Sequence, residues 1–301
     1  VPPPPAPPLH TPEAQPAAAP QSANFTPAPA DGFLRPNFAD PESLLAGLSQ
    51  LRIAALQNEP PNSLVLVQIF NVNYPSPTMV NPLTEDLLSA IGAITGERDP
   101  FIVPPEPDWS VPAARRALPR TWIVLRLSSE SVERLVTQIV WSSPAITFFA
   151  YRREPAIPRF LFTLSGYTRD RDSDVFQAVW RVFSSTEVRD LTLELVQANP
   201  DFASVRPGDA LNAILASLIM RVNRLSSGNL VAAVYCDSPT RSVQRWRDWR
   251  DQIGRNRFPT ALNYTGFRRH FAPCDGCHAN DHVTHLCPYP LDVPGWHAPR
   301  A

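Results

Sequence analysis

Three of the four cysteines in this chain of 301 residues lie close together near its C-terminal end, and their spacing constrains folding more than any other feature of the sequence. Together with one histidine they follow the pattern C-x2-C-x4-H-x4-C. Three thiolates and one imidazole complete a tetrahedral shell for Zn²⁺, and a shell closed by four protein ligands is structural rather than catalytic. In so short a segment the metal supplies most of the folding free energy. The predicted ligands are Cys274, Cys277, His282 and Cys287, and His278 and His285 are spare imidazoles whose spacing fits less well.

This spacing is similar to that of the CCHC zinc knuckle family, known from retroviral nucleocapsid and retrotransposon Gag-like proteins. The resemblance implies that the same four residues hold zinc and that the chain binds single-stranded RNA or DNA. The loop departs from the family pattern, because Asp275, His278 and Asp281 stand where knuckles usually carry an aromatic residue and glycines. The stretch from Cys274 to Trp296 also resembles the tail of CCHC proteins of fungal mobile elements, whose first open reading frame often joins RRM-like domains to knuckles.

Positive charge is concentrated just before the cysteines. The net charge is −1, yet residues 241–270 hold 8 Arg against 2 acids, whereas residues 1–240 hold 18 Arg against 23 acids. The chain has no Lys, and the planar guanidinium of Arg adds bidentate phosphate recognition and stacking to its charge. Basic side chains beside aromatic rings are the combination that binds unpaired strands. The candidate nucleic-acid-binding residues are Arg241, Arg245, Arg247, Trp249, Arg250, Arg255, Arg257, Arg268 and Arg269.

Helical periodicity assigns different roles to the two tryptophans of this basic segment. Trp246 shares a helix face with Ile253 and is expected in the core, which leaves Trp249 as the predicted stacking platform. A solvated helix face is the alternative interpretation of the Arg run, because Asp248 and Asp251 already partner it.

Composition divides the chain into four parts. Residues 1–39 contain 12 Pro and few charges, which predicts a disordered arm that acts as a spacer or as a docking peptide. Residues 40–155 and 156–270 are predicted α+β domains, and residues 271–301 are the zinc knuckle and its tail. Loss of the metal is expected to unfold this tail alone. The chain starts at Val1 rather than Met, so we expect a trimmed chain or a fragment.

Strand and helix patterns alternate along residues 40–270 and predict an α+β fold. Their order resembles one or two ferredoxin-like or RRM-like sheet-and-helix domains. The predicted strands are 63–70, 121–127, 145–151, 159–165, 229–235 and 259–265. The predicted helices are 41–57, 84–94, 131–140, 174–183, 207–225 and 239–253, with 186–198 of either type and 100–119 a long loop.

Three functions compete on this evidence. The first is a non-enzymatic binder of single-stranded nucleic acid, with RNA as the expected partner and self-association as a further possibility. The second is an assembly or adaptor protein whose zinc knuckle is purely structural. An enzyme is disfavoured: Pro273 and the Cys pair that follows it echo half of a zinc-deaminase pattern, but no upstream His-x-Glu accompanies them. No apolar run is long enough to span a membrane, and the cysteine usage predicts an intracellular, reducing compartment.

Overall fold

The computed structural model describes residues 25–154, 156–261 and 264–297, and it confirms the α+β class with two antiparallel five-stranded sheets. The first unit contains strands β1 to β5, which are Val65–Ile69, Phe101–Val103, Thr121–Leu125, Val140–Ser142 and Thr147–Tyr151. Its helices α1 to α3 are Gln50–Asn58, Pro77–Thr95 and Ser129–Gln138.

The second unit contains the other sheet, four helices and the start of the C-terminal segment. Its strands β6 to β10 are Phe160–Tyr167, Ile219–Arg224, Leu230–Tyr235, Phe258–Pro259 and Thr265–Arg269. Its helices α4 to α7 are Asp172–Phe183, Thr186–Gln197, Pro207–Ala216 and Val243–Gly254, and a short helix α8, Pro288–Asp292, follows the cysteines. None of the helices in the described part of the chain is both long and apolar enough to cross a membrane.

Both sheets have the same topology. The strand order is β2-β3-β1-β5-β4 in the first and β7-β8-β6-β10-β9 in the second. In each, the first strand of the unit lies in the middle, a helical crossover leads to the edge, and a short extra strand pairs with the last one. The chain therefore builds one β-α-β-β-α-β layout twice, each time with an added edge strand.

Helices cover one face of each sheet, which we call the helix face. In the first unit, Val67 of β1 and Trp122 of β3 are fully buried there against Leu87 of α2 and Leu135 of α3. In the second, helices α4 to α7 bury a larger cluster that contains Phe183 and Trp246. The opposite face of each sheet, the outer face, is where the two units differ.

Residues 25–39 are ordered and packed, which corrects the prediction of a disordered arm for this part. Phe25 packs against Trp141 at the edge of the first sheet, with ring centroids 5.6 Å apart. Phe33 and Phe38 are also buried, on the outer face of that sheet. These aromatic side chains supply the apolar area that the surrounding Pro and Ala lack. The rest of the predicted arm, residues 1–24, lies outside the described residues.

The single helix predicted over 41–57 is wrong. Asp40 caps a 3-10 turn, Pro41–Leu45, through a hydrogen bond from the Glu42 amide, and helix α1 starts only at Gln50. The break is at Gly47, which has φ +79° and lies so close to Ala117 that a Cβ would be 2.6 Å from its carbonyl oxygen. Tertiary contact, rather than the Leu periodicity, decides the local backbone.

The helix predicted over 207–225 is also wrong in its second half. Helix α6 ends at Ala216, and Ile219–Arg224 forms strand β7, which pairs with β8 over six residues. The apolar positions in this stretch satisfy a period of two as well as a helical one, and the edge of the sheet selects the strand. The strand predicted over 259–265 is a two-residue strand, β9, followed by a turn and β10.

Candidate metal centre between the two units

The four predicted ligands lie together. The ligand atoms of Cys274, Cys277, His282 and Cys287 are all within 4.8 Å of one another, and the three cysteines are buried. His282 presents Nε2 to the cluster, 3.3 Å from Sγ of Cys277. A turn closes the loop, because the amide of His278 donates to the Cys274 carbonyl at 2.9 Å. These residues could hold a metal ion, and three thiolates with one imidazole are the donor set of structural zinc sites.

Neither spare histidine belongs to the cluster. His285 is exposed, and the buried ring of His278 contacts the Ile69 carbonyl through Nε2 at 3.1 Å and Arg120 through Nδ1 at 3.4 Å. Burial lowers the pKa of His278 to about 4, so the ring is neutral at pH 7. A neutral ring that donates from Nε2 to Ile69 accepts from Arg120 at Nδ1.

Asp281 orients the histidine ligand, a role that was not expected from the sequence. One carboxylate oxygen is 2.7 Å from Nδ1 of His282, which fixes the ring so that Nε2 faces the thiolates. The other accepts hydrogen bonds from Tyr235 at 2.7 Å and from Asn37 at 2.8 Å. Carboxylates that hold the far nitrogen of a metal-ligating histidine are a regular feature of zinc sites. The Asp-His dipeptide was the available signal, but it stood out only as a departure from the knuckle pattern.

Local charges set the protonation of the cluster. Burial would raise the pKa of Asp281, but its hydrogen bonds with His282, Tyr235 and Asn37 hold that pKa below the usual value. Burial would also lower the pKa of His282, but hydrogen bonds to Asp281 and to the cysteines raise it to about 11. Hydrogen bonds from the neighbouring thiols lower the pKa of Cys274. Metal binding at Nε2 of His282 therefore displaces a proton.

The metal loop packs on the outer face of the first sheet. Cys274, Cys277 and Cys287 share one buried apolar cluster with Phe70 and Phe149 of that unit. The loop approaches so closely that a Cβ on Gly276 would be 2.8 Å from the Phe70 ring, and the Asn71 amide donates to the Gly276 carbonyl at 2.9 Å. The tail that follows closes the cluster, with Trp296 and Tyr289 stacked 5.3 Å apart.

The centre therefore lies between the two units. Its apolar side contacts the first sheet through Phe70 and Phe149, and its polar side contacts strand β8 of the second sheet through Asp281 and Tyr235. Residues of the 271–297 segment thus contact both units. Loss of a bound metal would weaken the cover of Phe70 and Phe149 on the first sheet, so we expect its effect to reach beyond residues 271–297.

Four arginines of the basic segment form ion pairs within the protein. Arg247 forms a bidentate ion pair with Asp40, at 2.6 and 2.7 Å, and so joins helix α7 to the segment that covers the first sheet. The others also have partners: Arg241 pairs with Asp201 at the surface, Arg250 and Arg268 both pair with Asp251, and Arg250 also donates to the Ala39 carbonyl.

Trp249 is not a stacking platform, which corrects the prediction from helical periodicity. Its side chain is 1% exposed, packs edge-on against Phe183, and donates from Nε1 to Thr192 at 3.0 Å. Helix α7 is covered on two sides, so both Trp246 and Trp249 are core residues. The remaining predicted arginines, Arg245, Arg255, Arg257 and Arg269, are exposed and have no carboxylate within 4.0 Å in the described part of the chain.

Comparisons of this chain with protein-family models, with curated proteins and with solved structures find no match. The cluster is consistent with a CCHC knuckle on its own geometry.

Asp281→Asn keeps the shape of the side chain and removes its charge, so it should weaken zinc binding by about 10- to 100-fold. Competition with a zinc chelator measures this affinity. Asp275→Asn is the matched control, because Asp275 is exposed and hydrogen-bonds only to Asn73 and Thr284 among the described residues. Equal zinc affinities for the two variants would contradict the orienting role.

Cys277→Ser, or removal of zinc by a chelator, should destabilise the first unit as well as the C-terminal segment. Phe70 and Phe149 would lose their cover, and buried apolar surface contributes about 25 cal/mol per Å². Hydrogen exchange of the β1 and β5 amides would report the effect. Faster exchange restricted to residues 271–297 would show that the two parts are independent. Cys236→Ser is the control, because Cys236 lies in the second core, away from the cluster.

Arg247→Gln should lower the free energy of unfolding by about 1–3 kcal/mol at pH 7, since it breaks charge-assisted hydrogen bonds. Burial would raise the pKa of Asp40, but Arg247 holds it below the usual value of 3.8. A depressed pKa contributes stability that is present above the unfolded-state pKa and is lost as pH falls through the folded-state value. The difference between the variant and the parent should therefore shrink below a pH of about 4.

Denaturant unfolding at several pH values tests this. Arg245→Gln on the same helix is the control and should change stability by less than about 0.5 kcal/mol at every pH. A pH-independent effect of Arg247→Gln would assign its contribution to packing instead.

Proposed function

We propose that this protein is a non-enzymatic binder of single-stranded nucleic acid in which a structural zinc ion fixes two α+β units against each other. The nucleic-acid strand contacts the outer face of the second sheet. The knuckle joins the two units and is not itself the nucleic-acid-binding surface. The observation that carries the proposal is the set of exposed arginines and aromatic rings on that face.

The zinc assignment rests on donor chemistry and on closure. The shell holds four protein donors, three of them buried thiols, so no position is left for a substrate. The carboxylate of Asp281 completes the outer shell of His282. A site made mainly of thiolates fits a reducing, intracellular compartment.

The outer face of the second sheet is packed in the middle, where Phe160 and Tyr235 contact Ala39, and it carries cations towards its edges. Its central strands present Thr163, Ser165 and Ala233, all of which are largely buried. On β10, Phe267 is 40% exposed and the Arg257 guanidinium lies 5.7 Å from its ring centroid. The other exposed cations are Arg269, 5.1 Å from Phe271, and Arg221 on β7, 5.6 Å from Tyr235.

This arrangement suits an unpaired strand. Guanidinium groups neutralise phosphates, and exposed rings such as Phe267 provide a surface on which a base can stack. The described strand residues of this face include no acid, and the nearby carboxylate of Asp281 is already hydrogen-bonded to His282, Tyr235 and Asn37. Arg221 was not among the sequence candidates, because a helix was predicted over its strand.

The shared topology supports the same function. The β-α-β-β-α-β order with its first strand in the centre is ferredoxin-like, and RNA-recognition modules with this layout bind through the sheet. The segment from Phe33 to Leu56 and the metal loop cover the outer face of the first sheet, whereas the outer face of the second is covered at Phe160 and Tyr235 but keeps Arg221, Phe267 and Arg269 exposed. Descent from a mobile element rests on the knuckle resemblance alone.

An assembly or adaptor role is the second candidate, and one observation favours it. The metal loop is buried between the units and contains acids rather than arginines, so the knuckle offers little surface to nucleic acid. In that case the exposed arginines would contact an acidic protein surface.

Replacing Arg221, Arg257 and Arg269 by Gln should weaken binding to single-stranded RNA. The slope of log K against log salt should fall by about 0.7 for each phosphate that the variant no longer neutralises. Fluorescence anisotropy with short RNA and DNA strands over a salt series measures both quantities. The matched control replaces Arg35, Arg98 and Arg115, which are exposed and carry the same total charge elsewhere on the molecule.

The parent should bind single strands more tightly than duplexes of the same length. An unchanged slope in the outer-face variant would remove that face from the interface. The absence of binding by the zinc-loaded parent would leave the assembly or adaptor role as the better account.

A further inference from the structure

A cavity of about 490 Å³ lies on the outer face of the first sheet, where its cover is incomplete. The floor is strand β1 at Gln68. The walls come from three separate segments, which contribute Phe38 and Ala39, Leu118 and Arg120, and Pro273 with His278 and Asn280. Its volume is within the range of about 300–1,000 Å³ that small-molecule sites occupy.

Arg120 is a cation without a carboxylate partner in this cavity. Its guanidinium is half-buried, and its only hydrogen-bond contact among the described residues is Nδ1 of His278 at 3.4 Å. The cavity lining contains no Asp or Glu. The acid whose charge acts on Arg120, Asp275, is already hydrogen-bonded to Asn73 and Thr284. A half-buried guanidinium in such surroundings favours an anionic ligand.

Gln68 provides a second, independent indication. The residue is 1% exposed and lines the cavity, and its Nε2 donates to Thr121 at 3.1 Å. Its Oε1 is buried without a hydrogen-bond partner in the described part of the chain. A buried carbonyl without a hydrogen-bond partner is energetically costly, so a ligand that donates an N–H to it would be stabilised. Phe38 and Tyr74 add aromatic surface to the same lining.

The cavity lies next to the proposed binding face of the second sheet. Ala39 and Asn280 line it and also line a smaller cavity on the second unit. That smaller cavity is bounded by Arg269 and Phe271, which belong to the cation-aromatic edge of the second sheet. A strand that leaves the second sheet at Arg269 would therefore meet the larger cavity next.

We propose that this cavity is a pocket for one nucleotide. The Arg120 guanidinium binds the phosphate, the Gln68 carbonyl accepts an N–H from the base, and Phe38 and Tyr74 contact the base or the sugar. A nucleotide is one small ligand that carries an anion, an N–H donor and a flat apolar surface. These are the three features that the lining residues can bind. The inference deepens the proposed nucleic-acid binding by giving one unpaired nucleotide a fixed place between the units.

Calorimetric titration of the full-length, zinc-loaded protein with the four ribonucleoside 5′-monophosphates, and with inorganic phosphate, tests the pocket. At least one nucleotide should bind more tightly than phosphate alone. Arg120→Gln should weaken nucleotide binding by about tenfold or more, whereas Arg115→Gln, an exposed control in the same loop region, should leave it unchanged.

Gln68→Leu separates the two contacts and removes the orphaned carbonyl, so this variant should fold. It should weaken nucleotide binding but leave the affinity for inorganic phosphate as in the parent. Two results would overturn the proposed pocket. One is that nucleotides bind no more tightly than phosphate, and the other is that the Arg120→Gln variant binds nucleotides with parental affinity.

The same titrations keep the two proposals apart. The triple variant Arg221→Gln, Arg257→Gln and Arg269→Gln should lose strand binding yet bind mononucleotides as the parent does. Strand binding without any mononucleotide binding would refute the pocket and leave the outer face in place. Mononucleotide binding with no strand binding by the parent would refute the proposed function and leave the pocket.

Discussion

The carboxylate of Asp281 is the interaction on which the arrangement of the two units depends. One oxygen sets the ring of a metal ligand, and the other is held by Tyr235 of the second sheet. The group is 6% exposed, so an unpaired carboxylate here would be costly, and its hydrogen bonds must all form together. Metal geometry and the contact between units are therefore coupled through one side chain, and a change in either is transmitted to the other.

This coupling explains why two sheets of the same topology have different outer faces. On the first sheet, Phe70 and Phe149 need apolar cover, which the metal loop and Trp296 supply. On the second, Phe160 and Tyr235 pack against Ala39, and neighbours such as Thr163 and Ala233 are small and leave less apolar surface to bury. The metal loop therefore packs on the first sheet, and the second sheet keeps its cations exposed.

Sequence patterns predicted what depends on local chemistry. The Cys and His spacing identified the four residues that could hold a metal ion, and apolar runs located the middle strand of each sheet. Sequence patterns could not predict the long-range contacts. The ion pair of Arg247 with Asp40 spans 207 positions, and the hydrogen bond of Tyr235 to Asp281 spans 46. Trp249 was misassigned because periodicity gives the faces of a helix but does not say how many of them are covered. Ile219–Arg224 was misassigned because its apolar pattern fits two periods.

The arginines of this chain, which has no Lys, have two roles in the folded protein. Where a guanidinium meets a fixed carboxylate, as Arg247 meets Asp40, its planar fork forms two hydrogen bonds at once and positions a helix. Arg120 and Arg257 have no carboxylate within 4.0 Å among the described residues, and the two proposals assign their guanidinium groups to an external anion. Because these sets of arginines do not overlap, substitutions can remove the second set without disturbing the first. Under the proposed function, stability and binding are thus separable even though one residue type serves both.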